Sequence, residues 1–446
     1  MKVAVKKFKS GERYLFLLEE DRVPDFWVTH FVTQKLRMSH AATTIGQYLN
    51  DIKHLKRWEN INNRNLLDEI YQGKVPNQED INKIKEHCCY QAKALKEMKV
   101  SNVIDMGKFS LSKSENKPTI GKSQYVARMA HIAEFLHFIG QERVKRKPDA
   151  VKLFDLLDSM KEKLKSGKPP KKANKPLLDK SGISNDVFED FVKVSKPNFE
   201  YNPFRNSVIR LRNYLIVQTL YETGIRCSEL LALRISDIGT DVEDPTLSVV
   251  VRHDSKDDPR LREPTAKTLG REVSISKELR DLLNNYIKNY RSQTSLAKTH
   301  PFIFVSHKEK KGHYQSGQPI VQQTVNDIFN KIKDVNPERF WGITPHSFRH
   351  YFNDQLSDII DTERKSVRQE VKRLEEEGRV LEAKQYANEN TITEQRELEI
   401  RAELNGHSSL DSGRAYLKRT TRKQTKLIRK KMHANQKHKV ESGQNA

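Results

Sequence analysis

Apolar residues that recur every three or four positions most constrain what this chain can fold into. Between positions 43 and 58, Ile45, Tyr48, Leu49, Ile52, Leu55 and Trp58 fall on one stripe, while Lys53, Lys56 and Arg57 lie elsewhere. Tyr125, Met129, Ile132, Phe135, Leu136 and Ile139 make a second stripe of the same period. This periodicity predicts helices with basic surfaces from Pro24 to about residue 165. Strand signals are fewer. Alternation around the turn Lys9-Ser10-Gly11-Glu12 predicts a β-hairpin over residues 1–23, with Tyr14, Phe16 and Leu18 on one side. Residues 247–251, 271–275 and 302–305 read as three further short strands. Helical patterns surround them, over 206–222, from Cys227 onward, and again from about 322. The expected fold is mostly α with a small β-sheet: a helical N-terminal domain joined by a basic linker to an α+β domain.

A chain of 446 residues has room for two or three domains, each with its own core. Around residues 161–180, lysine, proline and glycine crowd out apolar residues, which marks 166–180 as a linker between a domain at 24–165 and one at 181–420. Its Lys168, Lys171 and Lys172 either track a phosphate backbone or belong to a solvated spacer. From about 361 to 399 acids outnumber bases, and Val367, Val371 and Leu374 keep a helical spacing beside Glu375-Glu376-Glu377. That stretch is expected as a charged helix or helical pair projecting from the domain, either for subunit contact or as a solvated insertion. The chain ends in a basic segment at 421–446 that docks in cis, docks on a neighbour, or trails.

The formal net charge of +22 points to a polyanionic partner, with nucleic acid first. No run of about 18 apolar residues offers a membrane span, and Met-Lys-Val-Ala-Val-Lys-Lys lacks the apolar centre of a secretory signal, so a cytoplasmic, DNA-associated protein is expected. Three cysteines, Cys88, Cys89 and Cys227, give no even disulfide framework. His87 beside Cys88 and Cys89 is a poor metal site, because adjacent helical residues point about 100° apart.

Three short phrases carry the chemistry. Thr-Gly-Ile-Arg-Cys-Ser-Glu places Arg226 at a helix start, with Glu229 three residues on; backbone amides and guanidinium would face an anion there, or Arg226 simply pairs with Glu229. Thr-Pro-His-Ser-Phe-Arg-His sets His346 and Arg349 on one face of a turn opened by Pro345, with His350 pointing elsewhere. Asn-Gly-His ends at His407, and Tyr416 follows nine residues later across turn and cap residues. Two fixed cations, two imidazoles and a phenol suit attack on a phosphodiester.

In this order, Arg-x-x-Glu after Thr-Gly, His-x-x-Arg, and Gly-His followed by Tyr resemble the catalytic signatures of the tyrosine recombinases, the phage-integrase family. The resemblance covers about 180 to 420, and the 24–165 region, with Thr-Ile-x-x-Tyr-Leu-x-Asp-Ile, resembles that family's SAM-like core-binding domain. It implies DNA contacts from Lys53, Lys56 and Arg57, and a catalytic lysine in the β-hairpin loop, for which Lys267 fits better than Lys256. It further implies that Tyr416 attacks the scissile phosphate to leave a 3′-phosphotyrosine. Arg226, Arg349 and His407 would stabilise the phosphate oxygens, Lys267 would protonate the departing 5′-oxygen, and His346 would assist the tyrosine proton, with Glu229 fixing Arg226.

The sequence has no phosphate-binding Gly-rich loop with Lys-Ser/Thr and no carboxylate cluster for paired metals, so no cofactor is expected. The implied partners are double-stranded DNA, a homotetramer on paired sites, and accessory DNA-bending or directionality proteins of a mobile genetic element. A type IB topoisomerase-like relaxing enzyme and a DNA-binding protein with a spent site are the competing readings. Arg349 and His407 stand 58 residues apart, longer than the family's usual spacing because of the 361–399 segment. Asn405 before the Gly-His stands where an apolar residue is common.

Overall fold

A computed structural model describes residues 1–92, 119–166, 183–264, 269–308, 315–407, 409–410 and 412–413. The chain divides into two compact units, Met1–Lys180 and Ser181–Ala446. Both are mostly helical, and among the described residues the sheets are two-stranded. No helix among these residues is long and apolar enough to cross a membrane.

In the N-terminal unit, β1 (Lys2–Lys7) and β2 (Arg13–Leu18) pair antiparallel, with Lys2 opposite Leu18 and Lys7 opposite Arg13. Of the two faces of β2, the one carrying Leu15 and Leu17 is turned onto the helices, with Gly46 leaving room for Leu15, while on the Tyr14-Phe16-Leu18 side Tyr14 is buried and Phe16 and Leu18 are partly exposed. The helices are α1 (Phe26–Phe31), α2 (Ala42–Asn62), α3 (Leu66–Tyr71), α4 (Gln78–Cys88), α5 (Lys122–Val144) and α6 (Ala150–Lys165). The stripes on α2 and α5 meet in one core with Phe31, Leu67, Ile81, Ile84 and Leu157. Asn77 and Asp80 form a capping box at the start of α4, and Arg128 donates to the carbonyls of Cys88 (2.7 Å) and Tyr90 (3.0 Å) at its end. His87 is turned to α2, where it and His54 each bond the other's backbone carbonyl, so its imidazole is spent on packing.

Two of the basic residues on α2, Lys53 and Arg57, are partly exposed. Lys56 is more enclosed than the other two. Its side chain is 13% exposed and its ammonium lies between Asp25 (3.5 Å) and Glu59 (3.4 Å), so a phosphate there would compete with two carboxylates. Lys168, Lys171 and Lys172, with the linker beyond Ser166, lie outside the described residues.

The second unit begins with α7 (Asn185–Ser195), α8 (Ser207–Thr223) and α9 (Cys227–Ala232). It continues through β3 (Thr246–Val249) and β4 (Arg271–Ser274), paired antiparallel with Thr246 opposite Ser274. The helices α10 (Lys277–Asn289), α11 (Gln322–Lys333), α12 (Pro345–Glu376), α13 (Val380–Asn390) and α14 (Glu394–Asn405) follow. The predicted strand at 302–305 forms only isolated bridges. Ile303 donates to Leu233 and Phe304 accepts from Ile320, so this buried connector is held between loops rather than in a ladder.

The core sits around Phe348, whose ring meets Phe188 (5.2 Å), Phe329 (5.6 Å) and Phe191 (5.8 Å) between centroids. This cluster anchors the first turn of α12. Thr344 caps that turn by accepting from the Ser347 amide, with Pro345 at the first helical position. No glycine or proline interrupts α12 until Gly378, so it runs on through residue 376 into the charged segment. The chain reverses at Gly378, whose φ of +80° a side chain would resist. It returns as α13 and α14.

Candidate active site

Arg226 stands at the N-cap of α9, directly after a turn built on Gly224. Gly224 ends α8 at φ +58°, and a Cβ there would meet the Phe352 ring at 2.6 Å, so a side chain is excluded twice over. The Arg226 amide donates to Glu229 Oε2 (3.0 Å) and its guanidinium to Glu229 Oε1 (3.3 Å). The amide at this helix start is thus already satisfied by a carboxylate, contrary to the expectation that it would face an anion. The Arg226 side chain keeps 28% of its surface open. Glu229 is itself buried and shared with Arg271 of β4, which donates to it at 2.9 Å.

Arg349 lies one position after Phe348 and is 1% exposed. Its Nη1 donates to Gly224 O (3.0 Å), and its Nη2 to Asn405 O (2.9 Å) and His407 Nε2 (3.3 Å). The guanidinium therefore ties the Thr-Gly turn to the end of α14. Because an arginine can only donate, His407 accepts at Nε2 and is held as the neutral ring. Burial, then the Arg349 and Arg226 charges, push its pKa down to about 4.

His346 occupies the more exposed side of the same turn. Partial enclosure, then Arg349 and Arg226, lower its pKa although its ring keeps an open face. His350, one turn on, packs edge-on to His346 at 4.6 Å between centroids, a contact its (i, i+4) spacing carries. Cys227 adds no nucleophile, since burial pushes its thiol up to about 12.

Three sequence phrases thus reach one place, and the long charged segment loops out and returns to bring Asn405, Gly406 and His407 against Arg349. The hairpin loop closes on the same spot. Leu269 donates its amide to Gly406 O (2.9 Å), and Arg271 Nε donates to Leu404 O (2.9 Å). Lys256 is exposed on the other part of that loop, which a buried Asp258–Arg260 pair pins to the carbonyls of Leu231 and Ile320. Lys267 and Tyr416 lie outside the described residues.

Sequence reasoning missed Arg271, Asn353, Arg401 and Asn405 as parts of this arrangement. Two of them carried a legible signal: Asn353 stands one helical turn from Arg349, and Asn405 is a polar residue at a commonly apolar position.

Residues 186–359 match the sequence model of the Phage integrase family. The chain carries a phage integrase family domain. The match takes in Arg226, His346 and Arg349 and ends where the charged segment begins. Transposase A from transposon Tn554 of Staphylococcus aureus is 30% identical over 146 residues, 32% of this chain and 36% of its own length. Tyrosine recombinase XerD of Halalkalibacterium halodurans is 27% identical over 152 residues, 33% of this chain and 40% of its own. The chain thus spans well under half the length of these relatives. Among solved structures, a XerH site-specific recombinase bound to difH substrate gives a TM-score of 0.38 at 17% identity, over 88% of this chain and 90% of that one. The Tn1549 transposon integrase with circular intermediate DNA gives 0.33 at 14% identity, over 80% and 99%.

Proposed function

We propose that this protein is a site-specific DNA recombinase that cleaves and rejoins strands through a 3′-phosphotyrosine at Tyr416, in integration, excision or transposition. The observation that supports this reading most directly is the Arg349 guanidinium. It is held by carbonyls from two distant segments, contacts His407, and shares its field with Arg226. Such a cluster of fixed cations around a neutral imidazole suits an anion carrying more charge in the transition state than in the ground state.

In the proposed reaction, the Tyr416 phenol attacks the phosphorus and the 5′-oxygen leaves. Arg226 and Arg349 hold the non-bridging oxygens, and His407 becomes a better proton carrier as the anion offsets the two arginines. His346, at the open edge, assists removal of the phenolic proton. Lys267 is assigned to protonate the leaving oxygen in preference to Lys256, because the Leu269 end of the loop is the one bonded beside His407. Glu229 and Arg271 support Arg226 from below. Retention of the phosphoester in the protein–DNA bond lets rejoining proceed without an external energy source. Exchange between two duplexes calls for four subunits.

The test uses nicked suicide duplexes built on inverted repeats from the DNA flanking the gene, incubated in EDTA. A covalent protein–DNA adduct is expected with the natural chain and none with Tyr416→Phe. An adduct of equal yield in the variant would remove Tyr416 from its role.

A further inference from the structure

The charged segment returns to the site through a buried polar chain that no apolar stripe foretells. Arg401 of α14 is fully buried. Its Nε and Nη2 donate to Glu397 Oε1 (3.0 and 2.7 Å), Nη2 also to Ser357 Oγ (2.6 Å), and Nη1 to the carbonyl of Asn353 (3.2 Å). Asn353 in turn exchanges amide bonds with Asn405, at 2.9 and 3.0 Å. The carbonyl of Asn405 is the one that receives Arg349. On the far side, Glu397 Oε2 takes Arg364 at 2.9 Å, and Arg364 Nε donates to Ile392 O (2.7 Å).

A buried guanidinium is tolerated only when its donors are met, and losing one partner of such a network is costly. These bonds are met together in one register of α14 against α12. A slip of α14 by one residue would turn Arg401 and Asn405 about 100° away from Ser357 and Asn353. The network therefore selects where Asn405 O and His407 fall relative to Arg349, a service that leucines of equal volume could not perform with the same directionality.

We infer that Arg401 is a positioning residue: acting through Asn353 and Asn405, it fixes the carbonyl that holds the Arg349 guanidinium, and so fixes Arg349 against His407. This rests on reading Arg349 and His407 as the phosphate-holding pair. It predicts that catalytic geometry here is set from α14, the helix on which the charged segment returns, by a residue that touches no substrate.

The experiment takes the full-length chain with Arg401→Met, which leaves Glu397 paired to Arg364. His407 is followed through a pH titration by NMR, its signal assigned from its loss in His407→Gln. The charges facing His407 are Arg349 on α12, Arg226 and Glu229 on α9, and Arg271 on β4. Release of Arg349 should move the His407 midpoint up by about half a unit or more. Adduct formation on suicide DNA should slow by about tenfold or more at unchanged DNA affinity, since misplacement near a reacting centre costs rate before binding. A folded Arg401→Met protein whose His407 titrates as in the parent overturns the inference.

If that variant does not fold, Asn405→Leu serves, because it keeps the backbone carbonyl that receives Arg349 and removes the side-chain amide that bonds Asn353 and the Arg401 carbonyl. The same upward shift is expected, and an unmoved His407 overturns the inference. Should the parent form no adduct on any site, the recombinase reading fails, while the His407 titration still decides the role of Arg401.

Discussion

Arg349 owes its position to two carbonyls that arrive from opposite directions, Gly224 O at the end of α8 and Asn405 O at the end of α14. A lysine keeps the charge but has one nitrogen, which cannot reach both carbonyls and His407 in a plane. Arg349→Lys is therefore expected to slow adduct formation by about a hundredfold or more, with duplex affinity changed by no more than about threefold. Single-turnover cleavage beside a binding isotherm measures the two separately, and a loss confined to binding would refute the assignment. The residue types at Arg226, His346, Arg349 and His407 could be read from the sequence because their spacing and chemistry are unusual together. Their supports could not. Arg271 in its strand, and Arg401 and Asn405 beyond the charged segment, carry no pattern that names their partners, and only the fold shows that each is satisfied by a backbone or side-chain group.

At the level of elements, helices were the legible part, because an amphipathic stripe states both the element and its inward face. The α2 and α5 stripes coincide with the buried sets on those helices. The hairpin faces and the supposed strand at 302–305 were less so, since short apolar runs do not say which side meets the core or whether a partner strand exists. The charged segment was expected as a projecting helix or helical pair. Its first helix is a continuation of the His-x-x-Arg helix, for want of any breaker before Gly378.

In the N-terminal unit, α2 and α4 are joined by the buried His54 and the partly buried His87, whose pKa values burial, with help from Arg128, pushes down to about 3 and about 4. The unfolded chain then binds protons first, so stability is fullest above the ordinary histidine range of about 6.5 and declines as pH falls below it. The slope should reach up to about 1.4 kcal/mol per pH unit for each ring. Urea unfolding between about pH 6.5 and 5 should show this decline, and His54→Gln should lessen it. An unchanged slope in the variant would mean that His54 is not held neutral.

For the molecule as a whole, the excess of 81 lysines and arginines over 59 acids is a statement about partners rather than about fold. If the chain neutralises about six or more phosphates, its affinity for a duplex should fall by about a thousandfold between 50 and 200 mM salt. Fluorescence anisotropy with a labelled duplex measures this, and a flat dependence would contradict a DNA partner. The sequence by itself determined the helical class, the candidate site residues and their order along the chain, because periodicity and side-chain chemistry are local properties. Only the tertiary structure decided that Lys56 is locked between two carboxylates, and that residues 58 positions apart share a hydrogen bond. Burial and partner choice depend on segments far away in sequence, and in this chain a buried arginine network closes the distance that a long charged segment opens.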